Sequence, residues 1–154
     1  MAKSEDNPKH IVAQNRKARH DFHFLETFQV GVVLQGTEVK SLRQGKANLQ
    51  DSYASIINGE IFLFNCHISP YEQGNIFNHD PMRRRKLLMH KSEIVRLFGK
   101  VQQKGYTLVP IRIYFTRGKA KLDIALAQGK KQFDKREDIK RRDLDREARR
   151  AELR

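Results

Sequence analysis

Cysteine is nearly absent: Cys66 is the only one in 154 residues. One thiol can form neither an intramolecular disulfide nor a four-thiolate zinc site, so a reducing compartment such as the cytoplasm is expected. Cys66 lies in the apolar run I-F-L-F-N-C-H-I and is read as a buried structural thiol rather than a nucleophile. No apolar run approaches the about 18 residues of a membrane span, and neither a signal-peptide core nor a terminal lipidation motif is present, so a soluble protein without membrane contact is expected. Acidic residues are in short supply, with 18 Asp+Glu against 31 Lys+Arg, a net charge of +13 and a pI near 10.1. Such an excess repels itself unless a polyanion neutralises it, which makes nucleic acid the first candidate partner. The alternative is a charge that only keeps the chain in solution.

Catalytic constellations are missing as well. There is no nucleophile paired with a base, no carboxylate pair in an apolar setting and no metal-ligand pattern beyond the single His20/His23 pair. Gly118-Lys119 and Gly129-Lys130-Lys131 lack the spacing of a phosphate-binding loop. No enzyme activity, metal or cofactor is expected. No repeat of 20 to 50 residues is visible.

What is present divides at Gly129. Ala120, Leu122, Ile124 and Leu126 alternate with Lys119, Lys121, Asp123 and Ala125, the period of a strand with one buried and one wet face. From Lys130 to Arg154 the large apolar residues are Phe133, Ile139, Leu144 and Leu153, too few for a core face. This tail carries 11 Lys+Arg against 7 Asp+Glu, so body and tail are both basic. Its acid-first i, i+4 pairs, Glu137/Arg141, Asp138/Arg142 and Asp145/Arg149, are each worth ~0.2–0.5 kcal/mol, too little to hold an isolated helix. A tail disordered when free and helical when bound follows. Residues 1–14 are expected to be a flexible arm, 15–129 one domain, and 130–154 the tail.

Within the body, Asn15 to His20 places Arg16, Lys17 and Arg19 ahead of an aromatic alternation, as a solvated lead-in or a phosphate-contacting collar. Phe28, Val30, Val32 and Leu34 alternate over 21–35, which makes one long strand or a strand pair bent near Glu26-Thr27. Thr37 could cap a short helix ended by Gly45, with Val39 and Leu42 facing the core and Lys40, Arg43 and Lys46 exposed. Strands over 52–57 and 61–68 are joined by Asn58-Gly59, a strong hairpin signal. An aperiodic loop, 71–81, leads into four consecutive cations, Arg83 to Lys86, suited to RNA backbone and unstacked bases. Ser92 opens a helix striped by Ile94, Leu97, Phe98 and Val101 and stopped by Gly105. Val109, Ile111, Ile113 and Phe115 alternate in the next strand, where Pro110 implies an edge or a strand start. The class is mainly β with short helices, a small closed barrel resembling the oligonucleotide-binding fold, with an open sandwich as the alternative.

Six motifs in fixed order then resemble the small protein B family, the SsrA-binding proteins: N-R-K-A-R-H (15–20), G-T-E-V-K-S-L-R-Q-G-K-A-N (36–48), D-S-Y (51–53), R-R-R-K-L-L (83–88), G-K-A-K (118–121) and G-K-K-Q-F-D-K-R (129–136). The resemblance implies a barrel that grips the tRNA-like domain of transfer-messenger RNA, and a tail that enters the vacant message channel of a stalled ribosome, near the decoding centre of the small subunit, and folds there. It further implies that the RNA carries alanine and arrives with elongation factor Tu and GTP; the protein itself is expected to be a monomer. The RNA-facing positions of the family fall on Asn15, Arg16, Arg19, Glu38, Lys40, Arg43, Lys46, Asn48, Arg83, Arg85, Lys86, Lys119 and Lys121. Among these cations Glu38 could orient Lys40, accept a hydrogen bond from a base or a 2′-OH, or simply be a helix-start charge. The decoding-centre segment falls on Gly129, Lys130, Lys131, Phe133, Asp134, Lys135 and Arg136. Phe133 departs from the His or Tyr common in relatives, which excludes a role for a ring proton and leaves stacking. The rival function is a general single-stranded RNA-binding or ribosomal protein on the same kind of barrel.

Overall fold

The computed structural model describes the backbone of residues 10–73, 78–130 and 132–152, and the side chains of these except 103–104, 132–138 and 151–152. The chain runs β1 (His10–Gln14), α1 (Arg16–Asp21), β2 (Phe22–Val32), α2 (Gly36–Arg43), β3 (Ala47–Asn48), β4 (Tyr53–Ile57), β5 (Glu60–Phe64), β6 (His67–Ile68), β7 (Arg85–Leu88), α3 (Lys91–Lys104), β8 (Thr107–Thr116), β9 (Lys119–Gly129) and α4 (Gln132–Glu152). It is mainly β with short helices, as expected. The main sheet has the order β1-β8-β4-β5-β7-β2-β9, and β9 also pairs with β8, so six strands return on themselves as a ring. The strands of this ring pair antiparallel, and the longest ladders join β9 to β2 and to β8.

Inward alternate residues fill the ring: Val30, Ile61, Leu63, Leu87, Leu108, Ile113, Leu122, Ile124 and Leu126 are buried there together with Leu42 from α2 and Ile94 and Leu97 from α3. Cys66 is 1% exposed in this cluster, and burial pushes its thiol up to about 11, so it stays a neutral packing group. The Asn58-Gly59 hairpin forms with φ of 52° and 78°, the left-handed pair that a two-residue turn between twisted strands requires. Gly105 ends α3 at φ 65°.

Several expectations change. Residues 1–9 lie outside the described residues, but 10–14 are not an arm. They pair with Arg112 to Phe115, because β4 meets β8 only at Leu108 and leaves the rest of that edge with backbone groups to satisfy. The basic collar is a short helix, α1, capped by Asn15, whose side-chain oxygen accepts the Ala18 N–H at 3.3 Å. Below it Ala18, Val109, Ile111, Ala125 and Ala127 form a second small core with Phe22 and Phe24 against it, so the face of β9 expected to be wet is dry at Ala125 and Ala127. The bend in β2 is a register shift between Phe24 and Glu26. Helix α2 begins at Gly36 with Gln35 as its cap rather than Thr37, and the Thr37 hydroxyl instead meets His79 Nδ1 at 2.9 Å. The strand over 61–68 breaks at Asn65, φ 59°, into β5 and β6. The cation run holds a strand, β7, that charge had masked. The tail, expected to be disordered when free, is the 21-residue helix α4 in this structure.

Candidate nucleic-acid interface

Helix α2 buries Glu38, Ser41 and Leu42, and at 3.6 residues per turn this sends Lys40 and Arg43 to the opposite side. Lys40 Nζ lies 5.3 Å from the centroid of the Tyr71 ring, and the Arg43 guanidinium carbon lies 4.7 Å from that of Phe115. Lys46 follows the turn after α2 and reaches Glu72 at 3.8 Å, both exposed, an ion pair of little net worth that RNA could displace. Asn48 is exposed in β3, its side-chain oxygen occupied by the Gln50 N–H at 2.8 Å. Phe115 stands opposite Ala120 one step from the β8–β9 turn, so Arg43 brings α2 up to the hairpin that carries exposed Lys119. These residues, far apart in sequence, form one cationic face.

Glu38 and Arg85 are not on it. Both side chains are 0% exposed, paired through Arg85 Nε and a Glu38 oxygen, while Arg85 Nη1 donates to the Cys66 carbonyl at 2.6 Å and Nη2 to the Pro81 carbonyl at 3.2 Å. Glu38 also accepts the Gln35 N–H at 2.8 Å, which closes the start of α2. Arg83, partly exposed, donates to the same carboxylate at 2.5 Å. Burial pushes the Glu38 carboxyl up, but the hydrogen bonds from Arg83 and Gln35 and the charge and hydrogen bond of Arg85 outweigh it and hold it below its ordinary value. The expectation that Glu38 and Arg85 face RNA therefore fails on burial: they clamp α2 to β7, and of the three only Arg83 reaches solvent.

Asn15 is likewise structural, 8% exposed, with its amide donating to the Pro110 carbonyl at 3.1 Å while its oxygen caps α1. Its neighbours Arg16 and Arg19 are exposed and line a cleft with Gln14, Ile111, Arg112 and Arg142. The cleft thus joins body and tail through four arginines, of which sequence reasoning missed Arg112 and Arg142. Asn15 N–H donates to Ile111, four residues before Phe115, so the two cationic surfaces attach to β8 about 13 Å apart along the strand.

Lys86 points outward from β7 and pairs with Glu60 at 3.2 Å. Lys121 lines a groove with Gln29, Gly31 and Leu88, the last 54% exposed. A Cβ at Gly31 would lie 3.2 Å from Leu88 Cβ, so the close approach of β2 and β7 there favours glycine. Gln29 donates to the Tyr114 hydroxyl at 2.5 Å, and that hydroxyl donates to Asp123 at 2.7 Å. Burial first, then the bond to Asp123, raises the Tyr114 phenol to about 12, so it serves as a neutral donor. No charge pattern in the sequence announced this groove; its signal is the alternation that exposes Leu88.

At the base of the tail Gly129 pairs with Phe22, and the Lys130 N–H donates to the Asp21 carbonyl at 2.9 Å, which ties the tail to the end of α1. Lys131 lies outside the described residues, and Phe133, Asp134, Lys135 and Arg136 are placed only as backbone of α4. Among the described residues no group of three or more His, Cys, Asp or Glu is placed to hold a metal ion, and no helix is long and apolar enough to cross a membrane.

Comparison with known proteins gives a consistent neighbourhood. The family model described as SmpB protein matches residues 12–154. An SsrA-binding protein of Desulforudis audaxviator is 62% identical over 144 residues, 94% of each chain, and one of Acetivibrio thermocellus is 60% identical over 147 residues, 96% of this chain and 94% of the relative. Among solved structures, a chain described under "tmRNA-SmpB: a journey to the center of the bacterial ribosome" is 55% identical with a TM-score of 0.65, covering 78% of this chain and 85% of that one.

Proposed function

The chain belongs to the SmpB protein family, and from that premise we propose that it binds transfer-messenger RNA and acts with it on stalled ribosomes in trans-translation. The observation that carries the assignment of a face is the orientation of α2, which turns Lys40 and Arg43 outward beside Lys46 and the Lys119 hairpin. We read the ring of strands as a small closed barrel of the oligonucleotide-binding type that grips the tRNA-like domain. Arg83 belongs to the RNA-facing residues, while Glu38 and Arg85 hold it in place from the interior. Arg16 and Arg19 offer a second phosphate-binding surface beside the tail.

The tail supplies the second half of the function. The segment Gly129 to Arg136 enters the vacant message channel near the decoding centre, with α4 continuing along it. The anchor of Lys130 on Asp21 supports this reading, because it fixes where the helix leaves the body. The protein works as an RNA-binding factor without a chemical step of its own, as a cytoplasmic monomer, and elongation factor Tu with GTP joins through the charged RNA. Titration against transfer-messenger RNA and an unstructured RNA of equal length, at rising salt, tests the reading. A marked preference for the folded RNA that persists at physiological salt is expected. Equal affinities would make the chain a general RNA binder.

A further inference from the structure

Among the described residues, only Lys86 with its partner Glu60, and Leu88, join the outer face of β4, β5 and β7 to the surfaces above. Strand alternation sends Ala54, Ile61, Leu63, Arg85 and Leu87 inward, all buried, and therefore sends Tyr53, Phe62, Phe64 and Lys86 outward. Tyr53 stands opposite Phe64 in the hairpin, and the two rings stack with centroids 5.4 Å apart and planes 17° from parallel. Tyr53 is 39% exposed. Two residues further along β5, Phe62 stands opposite Lys86 and carries the Arg84 guanidinium over its ring, 4.5 Å from the centroid. A buried pair of this kind would be ordinary core, but these rings lie on the solvent side of the sheet, flanked by cations.

We propose that this face is a stacking platform for unpaired bases of single-stranded RNA, a binding site separate from the α2 surface. Three features point to RNA rather than to a protein partner. First, the exposed planes are of the two kinds on which bases stack, an aromatic ring at Tyr53 and a guanidinium at Arg84. Second, the two planes belong to rows two residues apart, about 6.8 Å along the strand, twice the ~3.4 Å rise of a stacked strand, so they suit bases that have been splayed. Third, the charge complements a phosphate backbone: Lys86 lies on β7 with Arg84 immediately before the strand, and Lys17 and Lys130 line the cleft that Tyr53 shares with α1. Three carboxylates lie among these four cations: Glu60 on Lys86 at 3.2 Å, Asp51 on Lys17 at 3.9 Å, and Asp21, which lines the same cleft as Lys130. The Glu60 and Asp51 pairs are exposed and open at little cost, and with Asp21 counted the balance remains cationic by one charge. Lys130 is also the residue from which the tail departs, so a strand on this platform would run toward the base of α4.

The proposal goes beyond the binding of a folded RNA and can fail independently of it. The test uses the full chain and an eight-nucleotide single-stranded RNA, oligouridylate carrying one 2-aminopurine, with fluorescence as the readout and transfer-messenger RNA titrated in parallel. Tyr53→Ala should weaken the octamer about ten-fold, and Tyr53→Phe should restore it, since the ring and not the hydroxyl stacks. Arg84→Ala should weaken it as well. Affinity for transfer-messenger RNA should change less than about two-fold in these variants, and because Tyr53 and Arg84 are exposed, thermal melts should confirm that each remains folded. The proposal is overturned if the octamer binds Tyr53→Ala and Arg84→Ala as tightly as the unaltered chain. It is equally overturned if charge reversal at Arg43 and Lys46 abolishes octamer binding while Tyr53→Ala leaves it intact, or if the octamer does not bind the full chain at low salt. Failure of the octamer with transfer-messenger RNA still bound would leave the main function standing.

Discussion

Replacing Glu38 with Gln separates a buried clamp from a residue that touches RNA. The Arg85 side chain is 0% exposed, and Glu38 supplies the carboxylate opposite its charge; its other two acceptors are the neutral carbonyls of Cys66 and Pro81. The substitution keeps the volume and removes the charge, which leaves a guanidinium buried without compensation, at a cost of about 3–5 kcal/mol. That is a large part of the ~5–15 kcal/mol that holds a domain of this kind folded. With a urea dependence of about 2 kcal/mol per molar, the denaturation midpoint should fall by roughly 2 M. RNA affinity of the fraction that remains folded should drop less, through the loosened Arg83. Replacing the pair together, Glu38→Leu with Arg85→Met, should recover most of the stability, because two well-packed apolar groups leave no orphaned charge. The same clamp sets an acid limit. Glu38 titrates below its ordinary 4.5 in the folded chain, so the unfolded chain binds the proton more readily. Its contribution is therefore complete above about 4.5 and is lost as pH falls from there through the lowered folded value. A Glu38→Gln protein whose midpoint is unmoved but whose RNA binding collapses would refute the clamp and return Glu38 to the interface.

Charge reversal at Arg43 and Lys46 should weaken RNA binding more than reversal at Lys100, which sits with Arg96 on Glu26, and should lower the salt slope by about 0.9 for each phosphate no longer neutralised; equal weakening would indicate diffuse attraction without a site. Truncation after Gly129 should leave folding and most RNA affinity intact, since the core clusters lie within the body, while peptide transfer to the alanine on the delivered RNA should fail on stalled ribosomes; normal transfer would make the tail a solvated appendage. In the full chain Phe133→Tyr should retain activity and Phe133→Ala should lose it if the ring stacks, and equal activity would make the position a spacer. Helix α4 exposes Ile139 and Leu144, and its i, i+4 pairs are weak, so circular dichroism should show helical signal equivalent to its length melting below the body's transition; a single cooperative transition would show that the tail is docked.

Elements whose determinants are local were legible in the sequence. The Asn58-Gly59 turn needs two positive φ angles that few other dipeptides supply, α3 announces itself by its stripe and by Gly105, and β9 by strict alternation up to Gly129. The basic excess likewise named a polyanion before any fold was known, and motif order named the family. What remained hidden depended on partners distant in the chain. β1 is a strand because β8 has an open edge beside it, and Ala125 and Ala127 are dry because α1 lies over them. A run of four cations does not reveal which of its members turns inward. Register on β7 buries Arg85 and exposes Lys86, and the carboxylate waiting there, Glu38, comes from a helix 47 residues earlier. Likeness to the family placed both residues among those facing RNA, because a charge needed to hold an interface and a charge that touches RNA leave the same mark in a sequence. Only burial distinguishes them, since a charge removed from water must find its opposite inside the protein, whereas one left in solvent is available to a phosphate.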